Sequence, residues 1–463
     1  MTGTRMTGTD PRDRVLTGWG RTAPSRARVE RPDGAEDVDR LLGSGRSVIA
    51  RGLGRSYGDA AQCAGGVVVD TAGLSSVGTV DAGSGTVEVG GGTPLSDVLR
   101  HTLQAGWFVG AVPGTSRVTV GGAIAADVHG KNHHRDGGFC SFVDSVTLAT
   151  PTGTHVVGPD RDPDLFWATA GGMGLTGIVT KATLRLVPVE TPWMRVDTER
   201  FAHLDDLMAA MSTSDGDYRY SVAWLDLMAP GRRRGRAVLA RGDHAPRGPR
   251  APATLGRRRS GPGAHPRLRR PLRLPASARH AHLAPGAVRA LNAARFGRSP
   301  RHETGRLQPW ASFFHPLDRI ENWNLLYGRR GLLQYQFVVG PSGADLVGQA
   351  VALAAAHRVP CFLAVLKRMG PRGPGPLSFP MPGWTLALDF PVGPPGLPGL
   401  LDRLDELVAE AGGRVYLAKD CRLRPELLAA MYPRLAELED VRRRVDPRRV
   451  LRSDLSRRLG LDG

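Results

Sequence analysis

Cysteine is scarce in this sequence. Its 463 residues contain four, Cys63, Cys140, Cys361 and Cys421, scattered and with no CxxC pair. That spacing excludes a disulfide framework and a zinc module, and it fits reduced thiols in a cytosolic setting. Long apolar runs are also missing. No stretch of 18 or more apolar residues occurs, so no membrane-spanning helix is predicted. The first thirty residues are polar and Arg-rich without an apolar h-region, so no secretory signal is expected. The expected location is the cytoplasm or the membrane periphery, with the periplasmic face left open. Lysine is rare too: of 62 basic residues only Lys131, Lys181, Lys367 and Lys419 are lysines. A chain this biased toward arginine keeps lysine most tellingly where a compact, titratable ammonium is needed.

Acidic residues are absent from one long window. His244 to His302 holds 14 arginines and no Asp or Glu, so it carries 14 of the 18 net positive charges and leaves +4 on the remainder. Rich in Pro, Gly and Ala and weakly periodic, it is expected to be a mobile excursion. Basic patches bind nucleic acid or anionic headgroups. Phe296 is the one aromatic among these arginines, fewer than a single-strand-binding groove requires. No nucleic-acid partner is therefore expected, and peripheral membrane contact stays open.

What is present is a mixed α+β pattern long enough for two or three domains. Residues 35–190 alternate β-rich runs (47–54, 66–73, 85–92, 145–153, 177–189) with Gly-rich turns. Helices are predicted at 37–42 and 94–105, the second behind Thr93 as N-cap. From Pro192 onward strands are predicted at 220–227, 332–340 and 384–392, and helices at 344–357 and 396–411. The tail reads as a strand over 413–419 and a helix over 425–445.

The most telling stretch is Val112–His134, VPGTSRVTVGGAIAADVHGKNHH. Its small residues let something large lie on bare backbone, and its glycines let N–H groups point at a phosphate. It ends in Asp127, His129, Lys131, Asn132, His133 and His134, a polar group suited to orienting a reactant. A metal is one reading of these histidines. Gly130 argues against the helix that reading needs, and no distant ligand completes a shell. Hydrogen-bonding or catalytic histidines are preferred and no metal is expected, with a structural His129 still open. RGLGRSYGD, Arg51–Asp59, follows a strand as phosphate-cradling turns do, but it lacks the lysine of a nucleoside-triphosphatase loop. GGMGLTG (171–177) precedes a strand where a Rossmann site needs a helix. On an ideal strand Lys419 shares an apolar face with Val415 and Leu417, which would tune it for proton transfer, unless it snorkels to water. Trp224, Phe313, His315, Trp323, Gln334, Gln336 and Trp384 suit a sugar with an apolar tail, or simply a core.

Together these motifs, with LFWATAGGMGLTGI, FFHPLDRIENWN, LLQYQFVV, PLSFPMPGW and YLAKD…AMYPRL…SDLSRRL, resemble the decaprenylphosphoryl-β-D-ribose 2′-oxidases. These belong to the vanillyl-alcohol-oxidase type of FAD proteins. The resemblance runs from residue 16 to the C-terminus, apart from the Arg-rich window. It implies a PCMH-type FAD-binding domain over 14–193, a substrate domain with an antiparallel sheet over 194–412, and a returning tail over 413–463. The implied FAD contacts are Arg51, Gly52, Leu53, Gly54, Arg55, Ser56, Tyr57, Gly58, Asp59, Gln62, Gly114, Thr119, Val120, Gly121, Gly122, Ala126, Asp127, His129, Ile178 and Tyr416. Many relatives hold FAD covalently through a histidine at the position of Arg55, so a dissociable FAD is implied here. The implied reaction is hydride transfer from ribose C2′, giving the 2′-keto sugar. Lys419 is the first choice to contact the alcohol oxygen, with His129 and Tyr57 nearby and the base left open. Trp224, Phe314, Gln334, Gln336, Lys367 and Thr385 would line the substrate site. The implied partners are a lipid-linked sugar phosphate, a separate NADH-dependent keto-reductase, and a quinone or O2 as electron acceptor. Thr385 and Ala387 stand where relatives carry Asn and Cys, and Phe314 where Tyr is expected, which bears on the identity of the sugar. An FAD oxidase of alditols or sugar lactones is the alternative enzyme. A basic nucleic-acid or membrane-surface binder is the alternative outside enzymes.

Overall fold

The computed structural model describes residues 10–248, 271–275, 277 and 283–462. Much of the Arg-rich window therefore lies outside the described residues. Its described part corrects the expectation of an excursion without structure, because Pro285–Arg298 is a 14-residue helix with proline in its first turn, where a missing N–H costs nothing.

The N-terminal half builds two small sheets. One is ordered Asp13–Leu16, Ser25–Glu30, Val67–Asp70, Val48–Arg51, with parallel pairing on both sides of Val67–Asp70. Its central run, Val67, Val68 and Val69, is buried on both faces, as parallel strands are. The other is antiparallel and ordered Thr86–Gly90, Ile178–Pro188, Val143–Thr150, Gly153–Val157, with Trp107–Val109 also pairing with Ile178–Pro188. The predicted helices form at Ala35–Leu42 and Leu95–Gln104. Thr93 is not the N-cap of the second: Pro94 holds that position, and the Thr93 hydroxyl instead donates to Ser76 O at 2.8 Å and accepts from Ser76 N at 2.9 Å.

The second half is organised by one eight-stranded antiparallel sheet. Its order is His302–Pro309, Trp193–Phe201, Arg236–His244, Tyr220–Asp226, Leu363–Met369, Gly383–Pro391, Leu332–Val339, Arg414–Val415. Alternation along each strand decides what faces the N-terminal half. Register pairs Gln334 with Asp389, Gln336 with Ala387, Val365 with Ala387, and Lys367 with Thr385. All of these stand on one face of three adjacent strands. Helices Asp345–Ala356 and Leu397–Glu410 bury apolar stripes, including Val347, Val351, Leu400, Leu404 and Val408. The class is α+β, as expected.

The tail departs from the expected strand over 413–419. Only Arg414 and Val415 pair, with Val338 and Phe337. The chain then turns, with Lys419 N–H donating to Tyr416 O at 2.9 Å, so Lys419 reaches its place through a turn and not through strand alternation. The expected helix over 425–445 is two, Pro425–Met431 and Leu435–Val445. Pro433 between them has no N–H and forces Tyr432 out of the helical region, to φ −129° and ψ 75°.

Candidate active site

A continuous cavity separates the N-terminal half from the eight-stranded sheet. One side of it is lined by Gly52–Tyr57, Gly114, Thr119, Gly121, Gly122, Ala126 and His129. Thr119 caps the short helix Val120–Ala125, its hydroxyl accepting from Gly122 N at 3.1 Å. A Cβ added at Gly52 would fall 2.2 Å from that hydroxyl, so glycine there is required by close approach. Gly54 turns the loop with φ +62°. Opposite that side stand Gln334, Gln336, Leu363, Val365, Lys367 and Ala387 of the sheet, the residues that strand register puts on its inner face.

One end of the cavity is chemically dense. Gln336 bridges His129 Nε2 at 2.9 Å and Thr385 Oγ1 at 3.0 Å. With Nε2 accepting from the amide, Nδ1 carries the imidazole proton. Burial, followed by the charge of Lys367, holds His129 well below the usual imidazole range, so the ring is neutral. Lys419 Nζ lies 4.1 Å above the centre of the Tyr57 ring. Burial pushes Lys419 down to about 8, while Asp389 acts in the opposite sense. Burial, then repulsion by Lys419, brings Lys367 down to about 7. Among the described residues Lys181 is the one lysine in an ion pair, with Glu88 at 3.2 Å. The two cavity lysines thus face space lacking a direct counter-ion, an arrangement suited to an anion or a proton-donating hydroxyl.

Most of the other expected residues are behind the cavity wall. Arg51 donates to Thr17 O at 2.7 Å and Ala61 O at 3.0 Å. Gly58 packs on Asp420, where a Cβ would be 1.8 Å from its carbonyl oxygen. Asp59 is held by Arg458 at 2.9 Å through both carboxylate oxygens. Gln62 donates to Ala23 O and Ser25 Oγ. Val120 and Ile178 are core residues. Asp127, at φ +37°, accepts from Ser378 Oγ at 2.9 Å and so ties the two halves together. Tyr416 lines the cavity and donates from its hydroxyl to Ala126 O at 2.7 Å. Trp224 lies under the Arg295 guanidinium at 4.4 Å, and Phe314 packs on Tyr220 and Phe108 with centroids 4.8 and 5.2 Å away. Neither lines the cavity, and Thr385 acts only through Gln336. His133 and His134 turn elsewhere, to Gly370 N and to the carbonyls of Asp215 and Tyr218. Among the described residues no group of His, Cys, Asp and Glu is arranged to hold a metal.

Sequence reasoning missed several wall residues. Trp19 stacks on Arg55 at 3.9 Å, and Arg117 also lines the cavity. Asp318 latches the halves together, accepting from Thr115 Oγ1 at 2.6 Å and from Ser116 N and Oγ, both at 2.8 Å. No local pattern marks such long-range partners.

The chain matches family models at two places: residues 28–158 match the FAD binding domain, and residues 400–459 match D-arabinono-1,4-lactone oxidase. It is 40% identical over 458 residues to decaprenylphosphoryl-beta-D-ribose oxidase of Mycolicibacterium smegmatis, covering 96% of this chain and 97% of that protein. The chain belongs to the decaprenylphosphoryl-β-D-ribose oxidase family. A Streptomyces coelicolor relative, described as an uncharacterized protein in the mprA 5′ region, is 44% identical over 79% of this chain and 100% of its own length. Cytokinin dehydrogenase 7 of Oryza sativa is 33% identical over 37% of this chain and 35% of its own length. Like its family, the chain is an FAD-dependent oxidoreductase. The site fits that cofactor. Its glycine floor admits a flat, phosphate-bearing molecule, and among the described residues Arg55 Nε and His129 Nδ1 are buried N–H groups without partners, which a bound acceptor would satisfy.

Proposed function

We propose that this oxidase converts the 2′-hydroxyl of a polyprenylphosphoryl-β-D-ribose to the 2′-ketone, the first half of an epimerisation that supplies arabinose for cell-wall arabinan. The observation that carries this reading is whole-length family membership, together with a buried, partly neutral Lys419 at the polar end of the cavity. Bound FAD supplies the hydride acceptor for the carbon C2′.

The chain's residues supply the rest. Lys419 Nζ contacts the alcohol oxygen and takes its proton, which its position near the pH of operation allows. His129, neutral and held by Gln336, stays uncharged beside the reacting carbon. Gln336 orients the sugar through its remaining amide capacity. Lys367 offers an ammonium to the phosphodiester. Tyr57 supports Lys419 from below. Asp318 and the Thr115–Ser116 turn close the wall against water. The first glycine loop presents Arg55, whose guanidinium is no nucleophile, so FAD is held without a covalent bond. Electrons leave to a quinone or O2, and a separate NADH-dependent reductase completes the epimerisation. Among the described residues no helix is long and apolar enough to cross a membrane; a lipid-linked substrate calls for peripheral contact with one.

A second reading, oxidation of a free sugar lactone or alditol, is favoured by the match of residues 400–459 to D-arabinono-1,4-lactone oxidase. Anaerobic loss of flavin absorbance with each substrate class separates the two. Reduction by polyprenylphosphoryl ribose alone supports the first, and reduction by free lactones or alditols alone overturns it.

A further inference from the structure

Asp389 is a buried carboxyl at the centre of the substrate sheet, 1% exposed, and it does not line the cavity. On the neighbouring strand its register partner is Gln334, whose amide Nε2 donates both to Asp389 Oδ1 and to the Tyr57 hydroxyl, the latter at 3.3 Å. Tyr57 in turn carries Lys419 Nζ over its ring at 4.1 Å. Among the described residues, Oδ2 of Asp389 is buried with no hydrogen-bond partner. A half-satisfied buried carboxyl is costly, and packing alone would be served as well by Asn or Leu. Such costs are concentrated where a site needs the charge.

We propose that Asp389 is a positioning residue for the oxidation: through Gln334 it fixes Tyr57 beneath Lys419, and its carboxylate is the negative charge that stabilises the ammonium Lys419 becomes when it takes the proton of the substrate hydroxyl. This rests on the role given to Lys419 above. The titratable and charged groups around Asp389 are Lys419, Tyr57, Tyr327 and Cys361, with Arg55 acting on Tyr57 and Lys367 facing Lys419. Burial raises Asp389 to about 7 against the opposing effects of Gln334 and Lys419, and Asp389 raises Lys419 against its own burial. Asp389 and Lys419 therefore exchange charge within the same pH range, and the protonation of one sets that of the other.

The scarcity of lysine makes this directly measurable. A holoenzyme labelled with 13Cε-lysine contains four lysine signals, from Lys131, Lys181, Lys367 and Lys419, and the Lys419→Arg variant identifies the last. Asp389→Asn keeps an oxygen for Gln334 but removes the charge. The Lys419 midpoint is expected to fall by about one pH unit, the lower end of what a neighbouring opposite charge does. The rising limb of the pH–rate profile should move down with it, and turnover on the high-pH plateau, where Lys419 is neutral in both proteins, should fall about threefold because the weaker base accepts the proton less readily, while KM changes less than about twofold. Asp389→Leu, which also frees Gln334, is expected to lose more turnover than Asp389→Asn. Gln334→Ala provides an arm that leaves Asp389 in place; losing the amide donor makes the carboxyl harder to ionise, so the Lys419 midpoint again falls. A Lys419 midpoint and a pH profile that stay at wild-type values in the flavin-loaded variants overturn the proposal. The titration needs no substrate. If the wild-type flavin is not reduced by lipid-linked ribose, the proposed function fails, while the midpoint shift still reports on Asp389.

Discussion

Arg458 is the residue whose loss should damage this protein most for a single change far from the reacting atoms. It lies near the C-terminus, yet its guanidinium forks onto both oxygens of Asp59 at 2.9 Å, lies 2.9 Å from Asp420 Oδ2, and donates to Leu423 O at 3.0 Å. Asp59 belongs to the first glycine loop, and Asp420 follows Lys419. One cation thus clamps the cofactor floor to the turn that presents Lys419. The side chains are 23%, 7% and 3% exposed for Arg458, Asp59 and Asp420, so solvent screens the cluster little. Arg458→Met keeps the stem and leaves two buried carboxylates unpaired. Removing one partner of a buried ion pair costs about 3–5 kcal/mol, and the partial exposure of Arg458 sets the expectation near the lower end, about 3 kcal/mol, or roughly a hundredfold in the folding equilibrium. Guanidinium unfolding of the holoenzyme, followed by tryptophan fluorescence and flavin release together, measures it. Arg403→Met is the control, since its pair with Glu406 is 48% and 41% exposed and such pairs contribute little. The clamp is refuted if Arg458→Met loses less than about 1 kcal/mol and retains flavin as tightly as the parent.

Lys419→Ala should keep its flavin spectrum and lose sugar-dependent bleaching by about a hundredfold or more; unchanged turnover removes Lys419 from the mechanism. The buried lysines also predict how stability follows pH. Lys131, Lys367 and Lys419 fall to about 7, about 7 and about 8 in the folded chain, from 10.5. Because the folded values lie below the unfolded ones, the unfolded chain binds the extra protons, and these groups make the apoprotein more stable as pH rises from about 7 to 10.5. Lys131→Met should flatten that rise in denaturant midpoints at pH 7.5 and 9.5, and an equal slope contradicts it. Acid precipitation should release all the FAD into the supernatant, whereas flavin remaining with the pellet contradicts non-covalent attachment. Ala387 lines the cavity while Cys63, Cys140 and Cys361 are buried. Ala387→Cys should therefore gain one adduct by mass spectrometry with a thiol-directed electrophile that leaves that position unmodified in the parent.

Much of this architecture is legible in the order of residues. The Val67–Val69 run, the glycine floor from Thr119 to Gly122 and the inner-face alternation of Gln334 and Gln336 follow from local periodicity and the lack of a Cβ. Lys419 stood out because lysine is rare, although it sits on a turn and not on the strand that alternation suggested. What could not be read locally depends on partners hundreds of residues apart. The bonds of Asp318 to Thr115 and Ser116, of Arg458 to Asp59, and of Gln334 between Asp389 and Tyr57 all join segments that meet only after the tail returns. Trp224, offered for its aromatic character, and Phe314, placed in the substrate site by the resemblance, show the opposite: Arg295 and the Phe108–Tyr220 cluster hold them in packing away from the cavity.

The central claim is that this cavity oxidises a lipid-linked ribose and that Lys419 takes the proton. Its most direct test is anaerobic flavin absorbance with a panel of polyprenylphosphoryl pentoses, free pentoses, alditols and sugar lactones, run on the parent and on Lys419→Ala. Bleaching of the parent by polyprenylphosphoryl ribose alone, absent in the variant, is the predicted result. Bleaching by free sugars and not by the lipid-linked ribose, or equal bleaching of both proteins, contradicts it.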